Sequence, residues 1–464
     1  MDINEIIDFS RPIGDIISDL QRKVIKVPSW AKLQKEYYAD KHAVMDRSEY
    51  PDLPTEKVTR ITYDLQRLAT KRMTELCFGV PVKRVYKVVP EHPEQQQVAD
   101  YLEAIYQRNR IDSFNIERGN MLFAGCEVMT LWYAVESSNN VYGFSSSLKI
   151  RCRNFSPMQG DILYPLFDEY GDMLAMSVHY TRIVGDESVT YFDTYTPDKH
   201  FKFSRNNANS STEWNLEESE EISISKIPCI YMYRPDPIWG DTTKIVNEME
   251  MTMSRTGNYL RKNSKPIFAV FANEEIPFNQ ELQGNQEFRT VLQYPAGSTA
   301  QYITWAQSTE SLKFYIDELR ETFFTQLQLP DWSYDKMKTT PMSGEARKQL
   351  FIDCQLKVKD ESGRLLEFFD REINVVKSFL KKIKPELSTV IDELQVETVI
   401  TPFTISDEKD TITNLVTANG GKAIMSQRES IAYFGKSTNV EKTMSEIQEE
   451  QQASQMANLF EPTE

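Results

Sequence analysis

Two helix-length segments that enclose a short β-rich insert constrain the fold of this 464-residue chain more than any other feature. Residues 241–262 contain no proline and carry apolar side chains on one side, which predicts an amphipathic helix. Residues 309–328 show a similar apolar stripe and predict a second helix, each helix being about 30 Å long. Residues 263–308 contain strand-like runs and a Pro-Ala-Gly turn, so the sequence predicts a small β-rich insert between two helices.

A loop and the longest helical pattern of the chain follow the second of these helices. The loop covers residues 329–341 and carries two lysines. Ser343 and Gly344 open a helical pattern that continues to about Lys382. We expect a bend at Ser362-Gly363, because Gly/Ser pairs are among the recognised causes of helix kinks.

The region before the paired helices mixes both kinds of secondary structure. In chain order, the sequence predicts lightly packed helices over 3–45, then a helix from an N-cap at Thr55 to Gly79 and a strand over 80–89. Two helices that end near Gly125, a strand over 128–135 and an antiparallel meander over 148–230 follow. The C-terminal part predicts a strand over 396–403, a helix capped by Asp407, a helix with a Ser426/Glu429 capping box and a helix over 441–460. The fold class is therefore α+β.

The chain is acidic, with 53 Lys and Arg against 69 Asp and Glu and a formal net charge of -16. Broad faces that grip nucleic acid are built from Lys and Arg, which neutralise phosphates, so this balance argues against such a face. It is compatible with DNA that slides past, because an acidic wall repels phosphate. The length predicts two to four structural regions.

Motifs for catalysis, metal binding and membrane insertion are absent from the sequence. The five cysteines form no C-x-x-C pair and are expected to be reduced core thiols, and the four histidines are scattered. The nearest candidate for a phosphate-binding loop has Val416 and Ala423 where glycine and Ser/Thr are required. We therefore expect no catalytic residues, no metal and no cofactor. Without a long apolar run or a basic, apolar N-terminus, we expect neither membrane insertion nor Sec-type export.

Three motifs carry a resemblance to a known family. Residues 76–82, Leu-Cys-Phe-Gly-Val-Pro-Val, end a helix at Phe-Gly and then place a proline. Residues 342–347, Met-Ser-Gly-Glu-Ala-Arg, are similar to the Ser-Gly-x-Ala pattern that opens the long wing helix of portal proteins. Residues 407–447 resemble the crown tract of siphophage-type portals. With the order of the predicted elements, the chain resembles the portal protein of tailed double-stranded DNA bacteriophages.

The resemblance implies a multi-domain portal fold. In order, its regions would be an N-terminal wing (1–237), stem helix 1 (238–262), a β-rich clip (263–308), stem helix 2 (309–328), a tunnel loop with the long wing helix and a returning strand (329–404), and a helical crown (405–464).

The resemblance also implies a function. Subunits would form a ring, typically a dodecamer, at one capsid vertex of the virion, and double-stranded DNA would be packaged and ejected through it. The ring would contact the terminase motor, major capsid or scaffold proteins and a head-to-tail adaptor, with synthesis in the host cytoplasm and no membrane.

The loop before the long helix would be the tunnel loop that faces the DNA. Its residues are Asp335, Lys336, Met337, Lys338, Thr339 and Thr340, and Ser343 and Gly344 would begin the wing helix. Lys336 and Lys338 are candidates for transient phosphate contacts, and plain solvent exposure is the competing interpretation.

Two other functions stay open at this point. A different virion assembly or scaffold protein would also suit the acidic composition and the helical end, and ring stoichiometry separates it from a portal. A metal-dependent nucleic-acid-processing enzyme would use some of the many carboxylates, and nuclease and ATPase assays would reveal it.

Overall fold

The computed structural model of the chain describes most of its residues. The described ranges are 3–46, 59–89, 91–207, 213–263, 267–271, 297, 299–303, 309–331, 352–403, 408–420, 424–434 and 440–459. Within these ranges, no helix is both long enough and apolar enough to cross a membrane.

Helices occupy both ends and the middle of the chain. They are α1 (Ile3–Ile6), α2 (Ile13–Leu20), α3 (Trp30–Tyr37), α4 (Leu65–Phe78), α5 (Pro93–Arg108), α6 (Ile111–Gly125), α7 (Thr243–Asn263), α8 (Thr309–Gln326), α9 (Ile352–Ile383), α10 (Ser388–Glu393), α11 (Glu408–Asn419), α12 (Gln427–Phe434) and α13 (Val440–Leu459). The paired helices predicted from the sequence are confirmed as α7 and α8, with boundaries shifted by one or two residues.

Strands form two larger sheets and two separate pairs among the described residues. They are β1 (Lys83–Lys87), β2 (Glu127–Asn139), β3 (Ser146–Phe155), β4 (Ile162–Phe167), β5 (Met173–Val184), β6 (Glu187–Tyr195), β7 (Lys199–Asn206), β8 (Asn215–Glu221), β9 (Cys229–Tyr233), β10 (Ile267–Phe271), β11 (Thr299–Ile303) and β12 (Gln395–Val399). Together with the helices they confirm the α+β class.

The predicted antiparallel meander is a five-stranded sheet in the order β4-β5-β6-β7-β8, with each strand antiparallel to the next. The prediction was wrong at both ends, because β3 and β9 instead flank β2 in a three-stranded sheet. Apolar side chains of the two sheets share a core that includes Met129, Phe155 and Val178. The meander therefore packs face to face on the smaller sheet.

The N-terminal helices cover the other face of the meander. Ile16, Ile17 and Leu20 of α2 are buried against Phe192 and Phe203 of the sheet. The expectation of light packing in this region was therefore wrong for α2. Its short apolar stripe closes one side of the five-stranded sheet.

Helix α4 begins at Leu65, ten residues after the predicted cap. Thr55 itself lies outside the described residues, and residues 59–64 are not helical. The helix ends at Gly79 as expected, but this glycine has φ -66 and not the left-handed conformation of a usual C-terminal glycine. At Gly119 of α6, a Cβ would lie 2.7 Å from the Phe78 ring, so glycine permits the close packing of α4 on α6.

Helix α9 spans the main core. Its buried side chains, among them Leu365, Phe369 and Val376, share one cluster with α4, α5, α6 and the bases of α7 and α8. The helix continues through Ser362 and Gly363, where Ser362 Oγ donates to the Lys359 carbonyl oxygen (2.6 Å). A bend at this pair stays a prediction, and the predicted helix start at Ser343 lies outside the described residues.

Strand β1 pairs with β12 in antiparallel register, from Lys83 opposite Val399 to Lys87 opposite Gln395. This pair joins the first fifth of the chain to its last quarter. At the C-terminal end, Glu429 N donates to Ser426 Oγ (3.1 Å) and Ser426 N donates to Glu429 Oε2 (2.9 Å), so the predicted capping box of α12 is confirmed.

Candidate functional site at the paired helices

The residues predicted to face DNA lie outside the described residues. This applies to all six loop positions, Asp335, Lys336, Met337, Lys338, Thr339 and Thr340, and to Ser343 and Gly344 at the predicted helix start. The structure describes the chain up to Asp331, before this segment, and again from Ile352, after it. The site is therefore built here from the paired helices and these two flanks.

Helices α7 and α8 are rooted in the body of the protein at one end. Val246 of α7 and Phe323 of α8 are fully buried in the main core. In the opposite halves, Leu260 of α7 and Phe314 of α8 are 54% and 70% exposed. Between the ends, Tyr315 Oη donates to Glu248 Oε1 (3.3 Å) and links the two helices. The pair is thus fixed at its base and presents apolar side chains to solvent towards its outer end.

Residues 59–63 have no regular secondary structure and run along α7. We call this segment the strap. The backbone N–H of Thr59, Ile61 and Tyr63 each donates to an acceptor on α7. These acceptors are Asn258 Oδ1 (2.5 Å), Ser254 Oγ (2.9 Å) and Glu250 Oε1 (2.8 Å), respectively. They are four residues apart, so they form one row on the helix surface.

Glycine in α7 allows the strap to approach the helix closely. A Cβ at Gly257 would lie 3.3 Å from Thr59 Cγ2 and 3.7 Å from Ile61 Cδ1. The row of acceptors on α7 therefore satisfies three backbone N–H groups of the strap, which would otherwise need water or a sheet partner.

A buried histidine–carboxylate pair holds the base of α7. His42 Nδ1 lies 2.6 Å from Glu250 Oε1, and His42 Nε2 lies 2.9 Å from the carbonyl oxygen of Glu36. Both ring nitrogens therefore lie next to oxygen atoms, and the doubly protonated ring can donate to both. Burial alone lowers the pKa of His42, but the hydrogen bond and the charge of Glu250, the Glu36 carbonyl and Asp64 outweigh it, so the pKa is raised.

The flank that leaves α8 is fixed by two arginines. Asp331 accepts from Arg320 Nε and Nη2 (3.1 Å each), and Arg72 Nη2 of α4 lies 3.7 Å from Asp331 Oδ1. Arg72 also donates to the Pro330 carbonyl oxygen, and its guanidinium lies 4.6 Å from the centre of the Phe324 ring. The chain is therefore tied to α4 where it enters the segment that contains the predicted tunnel loop.

The flank that re-enters the body belongs to α9. Cys354 and Val358, in its first two described turns, are buried in the main core, and burial raises the pKa of the Cys354 thiol to about 11. Further along, Arg118 of α6 makes a two-pronged ion pair with Glu372, with distances of 2.6 and 2.9 Å. Trp132 Nε1 of β2 donates to the same carboxylate (3.0 Å). One carboxylate of α9 thus binds a helix and a strand of the body.

Sequence reasoning missed the anchoring residues of this site. His42, Arg72, Arg118 and Glu372 belong to no short motif, and the His42–Glu250 pair joins positions 208 residues apart. Nothing in the local pattern distinguishes them from ordinary charged positions. Within the part of the chain that the structure describes, no three His, Cys, Asp or Glu side chains are grouped to hold a metal ion.

A mixed α and β body that carries a rooted helix pair with an exposed apolar side is typical of a subunit that assembles with other chains. The comparison with protein families agrees with that class. The family model described as phage portal protein, SPP1 Gp6-like, matches residues 27–457. Because the match covers nearly the whole chain, the chain belongs to this family. It is a phage-type portal, a head-to-tail connector subunit of a virion, and the family is structural and not enzymatic.

The solved structures that are similar to the chain include two gene transfer agent assemblies. One is the neck of an empty gene transfer agent particle, 10% identical, with a TM-score of 0.42 over 79% of this chain and 89% of that chain. The other is the virion of a native gene transfer agent particle, 11% identical, with a TM-score of 0.43 over 92% and 99%. No curated protein matches the chain.

The His42–Glu250 pair predicts a pH dependence of stability. Because the pKa of His42 is raised in the folded protein, its contribution is complete below the unfolded value of about 6.5 and is lost as pH rises through the folded value. Thermal melting across this pH range should show a falling midpoint for the native protein. In H42Q the melting midpoint should fall less over this pH range, because the titrating imidazole is gone. H92Q, at an exposed histidine, should show the same dependence of the midpoint on pH as the native protein. Parallel profiles for the native protein and H42Q would contradict the assignment.

The Arg118–Glu372 pair predicts a large loss of stability on removal of one partner. E372Q leaves the buried guanidinium without a counter-charge and should lower the free energy of unfolding by about 3–5 kcal/mol, measured in urea. The control is E367Q on the same helix, which removes an exposed pair with Arg371 and should cost less than about 0.5 kcal/mol. An equal loss in the free energy of unfolding for both variants would show that the buried pair contributes no more to stability than the exposed pair.

Proposed function

We propose that twelve copies of this chain form a ring and that double-stranded DNA passes along its axis, with α7 and α8 as the stem that surrounds the channel. The observation that carries the proposal is the rooted helix pair with its exposed apolar side. The chain would be divided into an N-terminal wing (1–237), stem helix 1 (238–262), a clip (263–308), stem helix 2 (309–328), a region with the tunnel loop, long wing helix and returning strand (329–404), and a crown (405–464).

Exposed apolar side chains support assembly through the stem. Besides Leu260 and Phe314, Tyr315 is 42% exposed, and Ile352 and Leu356 at the start of α9 are 49% and 52% exposed. Burial of one large apolar side chain contributes about 1.5–3 kcal/mol. If a neighbouring copy covers these side chains, their burial would supply much of the free energy of association.

The two anchored flanks support the role of the loop. Asp331 is tied to Arg72 and Arg320 on one side, and Cys354 and Val358 are buried on the other. Anchored ends fix where the loop leaves and re-enters the body, and the helix pair lies at the first of these points. Lys336 and Lys338 would then meet passing phosphates, and two cations per subunit give weak, salt-sensitive contacts that permit sliding.

The insert between α7 and α8 would be the clip that projects from the capsid. Its described part is an antiparallel pair, with Ile267 opposite Ile303 and Phe271 opposite Thr299. Phe271 is 55% exposed. In the proposal, this end binds the terminase motor during packaging and a head-to-tail adaptor afterwards, while the wing meets the major capsid or scaffold protein.

Assembly through the stem predicts that a charge at Phe314 impairs ring formation. F314D removes an exposed apolar contact and places a carboxylate in the interface, so the concentration needed for half assembly should rise by about tenfold or more, measured by mass photometry. Y170D, at an even more exposed aromatic residue of the meander (86% exposed), should assemble normally. Normal rings with F314D would remove the stem contact from the proposal.

The loop assignment predicts a separation of assembly from DNA handling. K336A/K338A should form rings as the native protein does, but should package or retain less DNA, measured as protected DNA per particle. K32A/K35A, two exposed lysines of α3, are the matched control and should leave both readouts unchanged. If K336A/K338A abolishes rings, the loop has a structural role; if DNA per particle is unchanged, the lysines do not contact DNA.

A further inference from the structure

Strand β3 carries a row of cations along an open edge. Lys149, Arg151 and Arg153 alternate along the strand, so their side chains lie on one face. Arg151 and Arg153 are exposed, and among the described residues no carboxylate lies within ion-pair distance of any of the three. Strand β3 pairs with β2 on one side and has no partner strand in the described sheets on the other. The guanidinium of Arg153 lies 4.5 Å from the centre of its own Phe155 ring, a contact that leaves its charge without a counter-charge. In an acidic chain, a basic row that has no carboxylate at ion-pair distance among the described residues favours an acidic partner.

The basic row continues onto the meander. Arg153 and Arg182 of β5 line the same cavity of about 390 Å³, together with Glu117 and Asp161. Asp161 already accepts a hydrogen bond from Ser156 N (3.1 Å). Arg182 is exposed, and it lies beyond the last residue of β5 that pairs with β4. The cations therefore border a second open strand edge.

Strand β8 has the opposite character. All of its residues are exposed, and four of the seven are glutamates: Glu217, Glu218, Glu220 and Glu221. Lys202 of the same chain lies 3.7 and 3.5 Å from the first two, but the described residues place no cation within ion-pair distance of the last two. Strand β8 pairs with β7 only, so its outer edge is also open.

One copy of the chain cannot bring these two edges together. Strand β8 is three strands away from β5 in the sheet order, which corresponds to about 14 Å, and it forms the opposite edge of the sheet. A ring is closed by heterologous contacts, in which one surface of each subunit meets a different surface of the next. Two open edges of opposite charge on opposite sides of one region have the arrangement that such a contact requires.

We propose that the acidic strand β8 of each subunit docks against the basic row of the next subunit, so that glutamates of β8 meet Arg151, Arg153 and Arg182. This rests on the proposed ring and names a contact between neighbouring wings. DNA phosphates would also attract the cations, but the same chain supplies an acidic strand with its own unpaired edge. The occupant is therefore a second copy of this chain.

Charge reversal in two separate variants tests the contact. R151E/R153E makes both edges acidic, and E220R/E221R makes both edges basic. Each alone should require about tenfold more protein for half assembly, because like charges face each other at every interface. Mixed in equal amounts, the two variants should assemble, because every interface of an alternating ring again joins opposite charges. A mass tag on one variant lets native mass spectrometry count both kinds of subunit in each ring.

The mixture also controls for misfolding, since a variant that failed to fold could not be restored by a partner. E91K/E94K, two exposed glutamates near the start of α5, is the matched control and should assemble alone. Rings formed equally well by each reversed variant alone would overturn the contact while leaving the ring intact. Normal rings of R151E/R153E that lose DNA would assign the basic row to phosphate instead. Failure of the native chain to form rings would instead reject the proposed function.

Discussion

The ion pair between Arg118 and Glu372 holds together the parts of the protein on which the rest depends. It is almost fully buried, and both charges are taken out of water. Such a pair is costly unless every charge has partners, and here the carboxylate also accepts from Trp132 while the guanidinium lies over the rings of Phe368 and Phe369. The long helix α9 can take its place only in one rotation about its axis. That rotation also sets which side chains of the first described turns of α9 are buried, Cys354 and Val358 among them.

The partners of this pair are 254 residues apart in the chain. His42 and Glu250 are 208 residues apart. The partners of β1 and β12, such as Lys83 and Val399, lie even farther apart than Arg118 and Glu372. The body of the protein therefore depends on contacts between distant segments, and the loop-closure entropy of each contact must be overcome during folding. The main core that buries the bases of α7 and α8 also contains side chains of α4, α9 and α10, so it is complete only when these distant segments have joined.

These distances also explain what the sequence could predict. Helices α7 and α8 and the strands β4 to β8 carry their own periodic patterns. The sequence predicts the two helices within one or two residues and these strands as an antiparallel meander, but it wrongly includes β3 and β9 at the ends of that meander. The predicted start of α4 was wrong because Ile61 has helical spacing yet belongs to the strap, where its N–H donates to Ser254 and not to a helix carbonyl. The anchors Arg72, Asp331, Arg118 and Glu372 could not be predicted, since each is defined by a partner that no local pattern reveals.

The strap along α7 has a mechanical consequence. Its three N–H groups donate to Glu250, Ser254 and Asn258, and the next positions of that row are Val246 and Lys262. Valine has no acceptor and a lysine ammonium only donates, so a shift of α7 by one turn in either direction would leave one N–H without a bond. The helix and the strap have one register. A force along the axis of α7 would thus be transmitted into the body through residues 59–63, and the helix would not slip past them by a turn.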